Sequence, residues 1–487
     1  MSRPTSTRSR WPLPPSTVRA VLSGHGILGL AFAAVIYLVC LTGTLAVFVH
    51  DLERWEQPEQ PNITAIAPTM LDRALAAART AAPRDAIFYI SLPSTTAPAA
   101  GIVAYKPDVE REWQVTANGA LVAKEAPFSE FLLNLHIALH LPRTWGEFIV
   151  GLAGVALLSS LVSGILAHPR LLKDAFHLRL GGSRRLQEAD LHNRLGIWAL
   201  PFHVTIALTG ALLGLSTLIV GVLALLLYRG DTAQVYGLFV DPPPAANAAA
   251  APLPSLAVLL AEAHRRAPRA EPHQIIVERA GRADARVTIA SERERLLVPQ
   301  DTTVFDARGV VVNDQHPRDL VAGTRILGGI GQLHFGWYGG LPVRLLYGVL
   351  GLALCVVTSS GVTIWLARRR DKGRPVPLWE RLWSAVAWGQ PLALMMAALC
   401  TMASAGEAAT WVWLAATVVL LVGAGMASWP AKRLSLRLRQ ALGAAAAMLA
   451  LINFVLRPSA SAGIIVNALL LGVSFWLLRR QRHGGAA

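Results

Sequence analysis

Long apolar runs dominate the chain. Val21–Val49, Phe148–Ala167, Gly196–Tyr228 and Val343–Ala367 each reach the roughly 20 residues that a helix needs to cross a bilayer. Four shorter, Ala-rich runs follow at Ala385–Ser404, Ala409–Ser428, Ala441–Leu456 and Ala462–Leu478, so about eight spans are predicted. Between the first two runs the pattern changes. Helical spacing over Thr69–Ala82 gives way to alternation over Ala86–Leu92, Gly101–Lys106 and Glu112–Thr116, with a turn at Asn118-Gly119 and another extended run beyond it. The same succession recurs between the third and fourth runs, as a helix over Pro254–Ala267 and strands over His273–Arg279, Ala285–Ala290, Thr302–Asp306 and Val310–Asn313. A Pro-rich stretch at Asp241–Pro244 serves as a linker. The fold class that follows is a membrane α-helical bundle of about eight spans with two α+β domains outside the bilayer.

The basic residues set the orientation. Arg3, Arg8, Arg10 and Arg19 precede the first span, while Arg170, Lys173, Arg179, Arg184 and Arg185 lie between the second and third. Arg368–Arg370, Lys372 and Arg374 follow the fourth, Lys432, Arg433, Arg437 and Arg439 the sixth, and Arg479, Arg480 and Arg482 the eighth. Because Lys and Arg stay on the cytoplasmic side during insertion, both termini are expected there, with the two α+β domains opposite. The expected division is 1–50 (cytoplasmic N-terminus and span 1), 51–140 (first outer domain), 141–228 (spans 2 and 3), 229–340 (second outer domain), 341–372 (span 4) and 373–487 (a four-span extension). The formal charge of +15 is accounted for by this arrangement, and nothing resembles a nucleic-acid surface. The first span is too long, and lacks the cleavage site, for a removed signal peptide. The three cysteines all fall inside spans, which excludes an outer disulfide framework.

Landmarks repeat within the chain. His25 lies 18 residues before Gly43 of Leu41-Thr42-Gly43, and His192 lies 18 before Gly210 of Leu208-Thr209-Gly210. Gly151, Gly154 and Gly164 map onto Gly348, Gly351 and Gly361 at a constant shift of 197, and Leu135-His136 maps onto Leu333-His334 with a slip of one. The chain reads as two copies of helix, outer domain, helix, followed by the extension. A His at a span is costly in lipid, so its recurrence suggests a bound metal or haem. The absence of CxxCH argues against covalent haem attachment.

These residues resemble the PepSY-associated transmembrane family, over about residues 15–372. The shared features are the HxxxG start with a later LTG, the LH before an outer-side span, and the helix-plus-strand outer domains, which would then be PepSY-like and periplasmic. The family includes inner-membrane ferric-siderophore reductases. The resemblance implies a bacterial inner-membrane oxidoreductase carrying electrons through b-type haems to a periplasmic ferric chelate or protein acceptor.

Histidines at one depth on neighbouring antiparallel spans can ligate one iron. The reading pairs His25 with His192 at the cytoplasmic end, and His136 with His334 at the periplasmic end, giving two haems with those four residues as iron ligands. His203, eleven residues after His192, falls roughly 16 Å along the same helix face and is an alternative ligand. His140, one turn after His136, is a substitute ligand or a propionate partner, and Arg143 a propionate partner. Against each stands a plainer role, as an interfacial, hydrogen-bonded or packing side chain. His50 and His168 read as interfacial anchors, and His177, His264, His273, His316 and His483 as exposed loop residues. Gly24-His25-Gly26-Ile27-Leu28-Gly29 matches GxGxxG but has no strand before it, so no NAD or flavin motif is present. The electron donor is then a quinol or a separate reductase, and the other partner is membrane lipid. No residue is read as catalytic. The competing readings are a haem-free regulator whose PepSY-like domains bind peptide or restrain a protease, and a transporter.

Overall fold

The computed structural model describes residues 14–94, 98–107, 109–167, 184–238, 244–293, 298, 300–320, 322–403, 408–457 and 461–479 of the 487 in the chain. His168, His177, His483, Arg3, Arg8, Arg10, Arg170, Lys173, Arg179, Arg480, Arg482 and residues 241–243 of the Pro-rich linker lie outside them.

The chain opens with α1 (Pro15–Ala46) and α2 (Val49–Glu56), then runs through α3 (Pro68–Ala81), β1 (Ile87–Ser91), β2 (Ala100–Lys106), β3 (Val109–Val115) and β4 (Leu121–Ala123). It continues with α4 (Pro127–Ala138), α5 (Arg143–Ala167), α6 (Arg184–Trp198), α7 (Leu200–Gly214) and α8 (Ser216–Leu227). Next come α9 (Thr232–Tyr236), α10 (Leu256–Arg266), β5 (Glu271–Glu278), β6 (Arg286–Glu292), β7 (Gln300–Asp306), β8 (Val311–Gln315) and α11 (Ala322–Phe335). After a 3-10 turn at Trp337–Gly339 follow α12 (Gly340–Asp371), α13 (Pro377–Ala403), α14 (Ala408–Met426), α15 (Ala431–Leu456) and α16 (Ser461–Arg479). Two compact units result. One comprises Met1–Glu56, Pro127–Ile219 and Arg344–Ala487; the other comprises Gln57–Ala126 and Val220–Val343.

In the second unit the strands form one antiparallel sheet in the order β4-β3-β2-β1-β5-β6-β7-β8. The two α+β modules expected from the sequence are therefore not separate: β1 pairs with β5, with Phe88 opposite Val277 and Ile90 opposite Ile275. The physical reason is that each module alone would leave an apolar strand with an unpaired edge, which the other module's edge satisfies. Alternate residues of the central strands turn to one face, where Ile90, Ile102, Ile275, Ile289 and Phe305 pack against Leu71 and Leu75 of α3 and Leu256 and Leu259 of α10. Each such side chain, fully buried, contributes about 1.5–3 kcal/mol. Asp72 of α3 accepts hydrogen bonds from Ser255 Oγ (2.6 Å) and Leu256 N (2.8 Å), so one module caps the helix of the other.

In the first unit α1, α5, α12, α13, α14 and α15 are long and apolar enough to cross a bilayer, and this is a multi-pass membrane protein. The third predicted run, Gly196–Tyr228, is not one straight helix. α6 and α7 meet at a bend of 72°, next to Pro201, whose ring nitrogen can donate no hydrogen bond back to the preceding turn. Counted as one span, the bent pair raises the total among the described residues to seven; α8 and α16 are apolar but shorter. Glycines permit close approach. A Cβ at Gly154 would lie 2.9 Å from the Ala211 nitrogen of α7, and one at Gly348 2.9 Å from the Phe48 ring.

The extension is welded to this unit. Trp55, Phe128, Phe131 and Leu135 of α2 and α4 pack with Ala393, Ala397, Trp413 and Leu449 of α13–α15. A buried polar chain fixes the register: Trp55 Nε1 donates to Asn467 Oδ1 (2.8 Å), Asn467 Nδ2 to Asn453 Oδ1 (2.9 Å) and Asn453 Nδ2 back to the Trp55 carbonyl (3.0 Å). Beside it the carboxylate of Glu56, 1% exposed, caps the start of α4 by accepting from the Phe128 and Ser129 nitrogens, each at 2.7 Å, and from Ser129 Oγ.

Candidate functional site

The first unit brings His25 of α1 and His192 of α6 together. Their ring centroids are 6.4 Å apart and their planes lie at 82°. Each ring is aimed by a neighbouring helix. His25 Nδ1 is 2.9 Å from the Ser160 carbonyl and 3.3 Å from Ser163 Oγ on α5, while His192 Nδ1 is 2.9 Å from the Val357 carbonyl and 3.1 Å from Ser360 Oγ on α12. A carbonyl can only accept, so both rings carry their proton on Nδ1 and their lone pair on Nε2. The supports are themselves repeated, because the shift of 197 that relates the glycines also carries Ser160 to Val357 and Ser163 to Ser360. Gly164 and Gly361 complete the equivalence: a Cβ there would sit 3.5 Å from His25 Cε1 and 3.3 Å from His192 Cε1.

Both rings line a cavity of about 420 Å³. Its wall is apolar and duplicated, with Leu22, Gly29 and Leu30 of α1 answered by Ala189, Gly196 and Ile197 of α6 at the 167-residue shift that relates the histidines. The space beside these small residues is open, since a Cβ at Gly26, Gly29 or Gly196 would meet nothing within 4 Å.

These residues fit a haem. Two imidazoles on opposite sides of one metal, each bound at about 2 Å, set their ring centres about 6 Å apart. Two nitrogen ligands complete an iron whose other four bonds come from a macrocycle, and they are too few for a bare ion; among the described residues no group of three or more His, Cys, Asp or Glu converges as a metal site. The volume is in the range of cofactor pockets, and a backbone acceptor on Nδ1 is the usual support of a ligating imidazole.

The other predicted site residues stand elsewhere. His136 of α4 lies on α1, its Nδ1 3.0 Å from the Val39 carbonyl and 3.4 Å from Thr42 Oγ1, and Gly43 makes room for it: a Cβ there would be 2.5 Å from His136 Cε1. This accounts for the Leu-Thr-Gly triplet. His140 has a left-handed φ of 53°, stacks on Phe131 at 4.8 Å and directs Nε2 at the Phe131 carbonyl (3.0 Å), with Thr410 Oγ1 3.4 Å from Nδ1. Burial lowers the basicity of both rings, against the opposing pull of those carbonyls. Arg143 is exposed and pairs with Glu147 at 2.8 Å. Neither His140 nor Arg143 is among the cavity residues.

His203 does not share a straight helix face with His192, because the 72° bend falls between them. It is fully buried, close to the Leu350 backbone, yet neither ring nitrogen makes a hydrogen bond of acceptable geometry among the described residues. His334 sits at the end of α11, in the other unit. Ser163 and Ser360 escaped the sequence reading, although the shift of 197 that aligned the glycines applies to them too. Arg368, in the sequence a topology signal alone, also lines the cavity.

Among curated proteins the chain is 33% identical, over 258 residues, to an uncharacterized protein of Pseudomonas aeruginosa; the match covers 50% of this chain and 64% of that protein. The family model described as the PepSY-associated TM region matches residues 22–368, which takes in both repeats, the paired histidines and their supports, and the chain belongs to that family.

Proposed function

We propose that this chain is an inner-membrane b-type haem protein that carries electrons across the bilayer to a periplasmic acceptor, with ferric siderophore iron as the acceptor class. The observation that carries the reading is the repeat-related pair His25 and His192, each fixed in the same tautomer by a carbonyl acceptor, on the wall of one apolar cavity. A haem bound there supplies one-electron exchange at its iron. The chain's own part is to hold the two Nε2 lone pairs in place, to exclude water with Leu, Ile and Val side chains, and to tune potential through the Ser160 and Val357 carbonyls.

The charge pattern supports an inside-facing cavity, because Arg368 on its wall opens the basic cluster Arg368–Arg374. Both termini on the cytoplasmic side require an even number of crossings, met by the six long helices, the bent pair and the shorter α16. Electrons then enter from a quinol or a separate reductase. Reduction of ferric iron weakens its hold on hard oxygen donors and releases it from the chelate.

The test is a pyridine haemochrome assay with reduced-minus-oxidised spectra on the full-length protein, purified after expression with ample haem. A b-type signal that falls in His25→Ala and in His192→Ala supports the reading. Two haems per chain would call on a second ligand set, for which His136, His334 and the orphaned His203 are the candidates. A folded but haem-free protein would overturn the reading and bring forward the regulator with peptide-binding domains.

A further inference from the structure

The histidines, their carbonyl and serine supports and most of the cavity wall are duplicated, but the charge on that wall is not. Among the described residues Arg368 is the only charged side chain that lines it. The shift of 197 that carries Ser163 to Ser360 and Gly164 to Gly361 carries position 171 to 368, and position 171 is a leucine. At this equivalent position the second repeat has a cation and the first has none.

Arg368 is also set apart from its neighbours. Arg369 lies over the Trp365 ring at 5.4 Å and Arg370 pairs with Glu380 at 3.1 Å, so both are committed to packing α12 and its surroundings. No carboxylate partner for Arg368 is found among the described residues, and its side chain is exposed at the margin of the apolar wall. A guanidinium pairs with carboxylates and phosphates, and the anionic groups that a haem carries are carboxylates.

We propose that Arg368 anchors the carboxylate edge of the macrocycle held between His25 and His192, and so turns that edge toward the basic end of α12. The inference rests on the haem reading of the cavity. It replaces Arg143, which is paired with Glu147 and lies 17 residues before Ser160 on α5, about 25 Å along the helix. The consequence is a ligand seated one way round in a nearly symmetric cavity, with its iron in the field of one fixed positive charge.

The experiment compares wild type with Arg368→Ala, Arg368→Glu and Arg368→Lys, and with Arg143→Ala and Arg374→Ala as controls. It reads two quantities on purified haem-loaded protein: the rate of haem transfer to excess apomyoglobin, and the midpoint potential by spectroelectrochemistry. Arg368→Ala should speed haem loss about fivefold, as for an exposed ion pair, and Arg368→Glu more, with both differences shrinking in 1 M salt. The potential should fall in the order Lys, Ala, Glu, because loss of a nearby positive charge favours the ferric state. Arg368→Lys should keep most of the affinity, which separates loss of charge from misfolding. Haem-loaded Arg368→Ala and Arg368→Glu that match wild type in both readings would overturn the anchoring role and leave the haem reading intact, as would an effect found instead in Arg143→Ala. Wild type without haem would overturn both.

Discussion

The surroundings of His25 and His192 contrast with those of His136, although the first two project from α1 and its repeat equivalent and the third rests on α1. At the first location both repeats contribute alike, through a histidine, a carbonyl, a serine and a glycine each. At the second, α4 is capped by Glu56 of its own repeat and braced by material the repeats lack, α13 and α14 of the extension. The lesson is that duplication can build a cavity between equals, whereas a helix with a single buried face needs an added wall. The first region is open beside its glycines and the second is tight, so the same substitution should act differently in the two.

The largest expected effect is on pH dependence at Glu56. Burial pushes its carboxyl up to about 7, against the pull of its Ser129 and Phe128 donors and of Arg457. The folded state then holds the proton above the pH at which the unfolded chain releases it, near 4.5, so stability from this group is full below that pH and declines as pH rises toward 7. The drop should be about 3 kcal/mol and should vanish in Glu56→Gln, as read from thermal unfolding between those pH values. A flat wild-type curve would remove the buried carboxylate from the account of α4.

Gly43→Leu should cost about 2.5 kcal/mol, since the His136 ring occupies the place of the new side chain. Gly29→Leu should leave the stability of the haem-free protein within about 0.5 kcal/mol while abolishing haem binding, because its side chain would fill open space. Equal destabilisation by the two would erase the contrast. Asn453→Leu should cost about 2 kcal/mol by stranding the Trp55 carbonyl and the Asn467 amide, and Asn467→Leu should add little more in the double variant. The smallest effects belong to Ser163→Ala and Ser360→Ala, each under about 1 kcal/mol in thermal stability and equal within error; a marked inequality would show that the two halves of the cavity are not equivalent.

Much of this was legible in the chain because it is local or repeated. The strands were read within two residues, apart from the start of β3, which lies three residues before the expected Glu112, since alternation survives wherever one face is buried. His25 and His192 emerged from the repeat alone. What escaped notice depends on distant partners: the pairing of β1 with β5 joins edges whose need for one another has no local signature, and Trp55 shows nothing of Asn467. Pro201 was visible, but an apolar run on both sides concealed its bend, and that misplaced His203 relative to His192. Arg143 reads in the sequence as a propionate partner, but Glu147, one turn on, pairs with it.

The hydrogen bond between Trp55 and Asn467 spans 412 positions of sequence. During synthesis Trp55 is in place long before α15 and α16, so its indole N–H and its carbonyl wait for Asn467 and Asn453 to be inserted, whereas Glu56 meets its partners on α4 at once. A chain that stops before residue 467 therefore keeps every residue that lines the His25–His192 cavity but leaves the Trp55 indole N–H and the Asn453 side-chain oxygen without the partner that completes their burial where α2 meets α15.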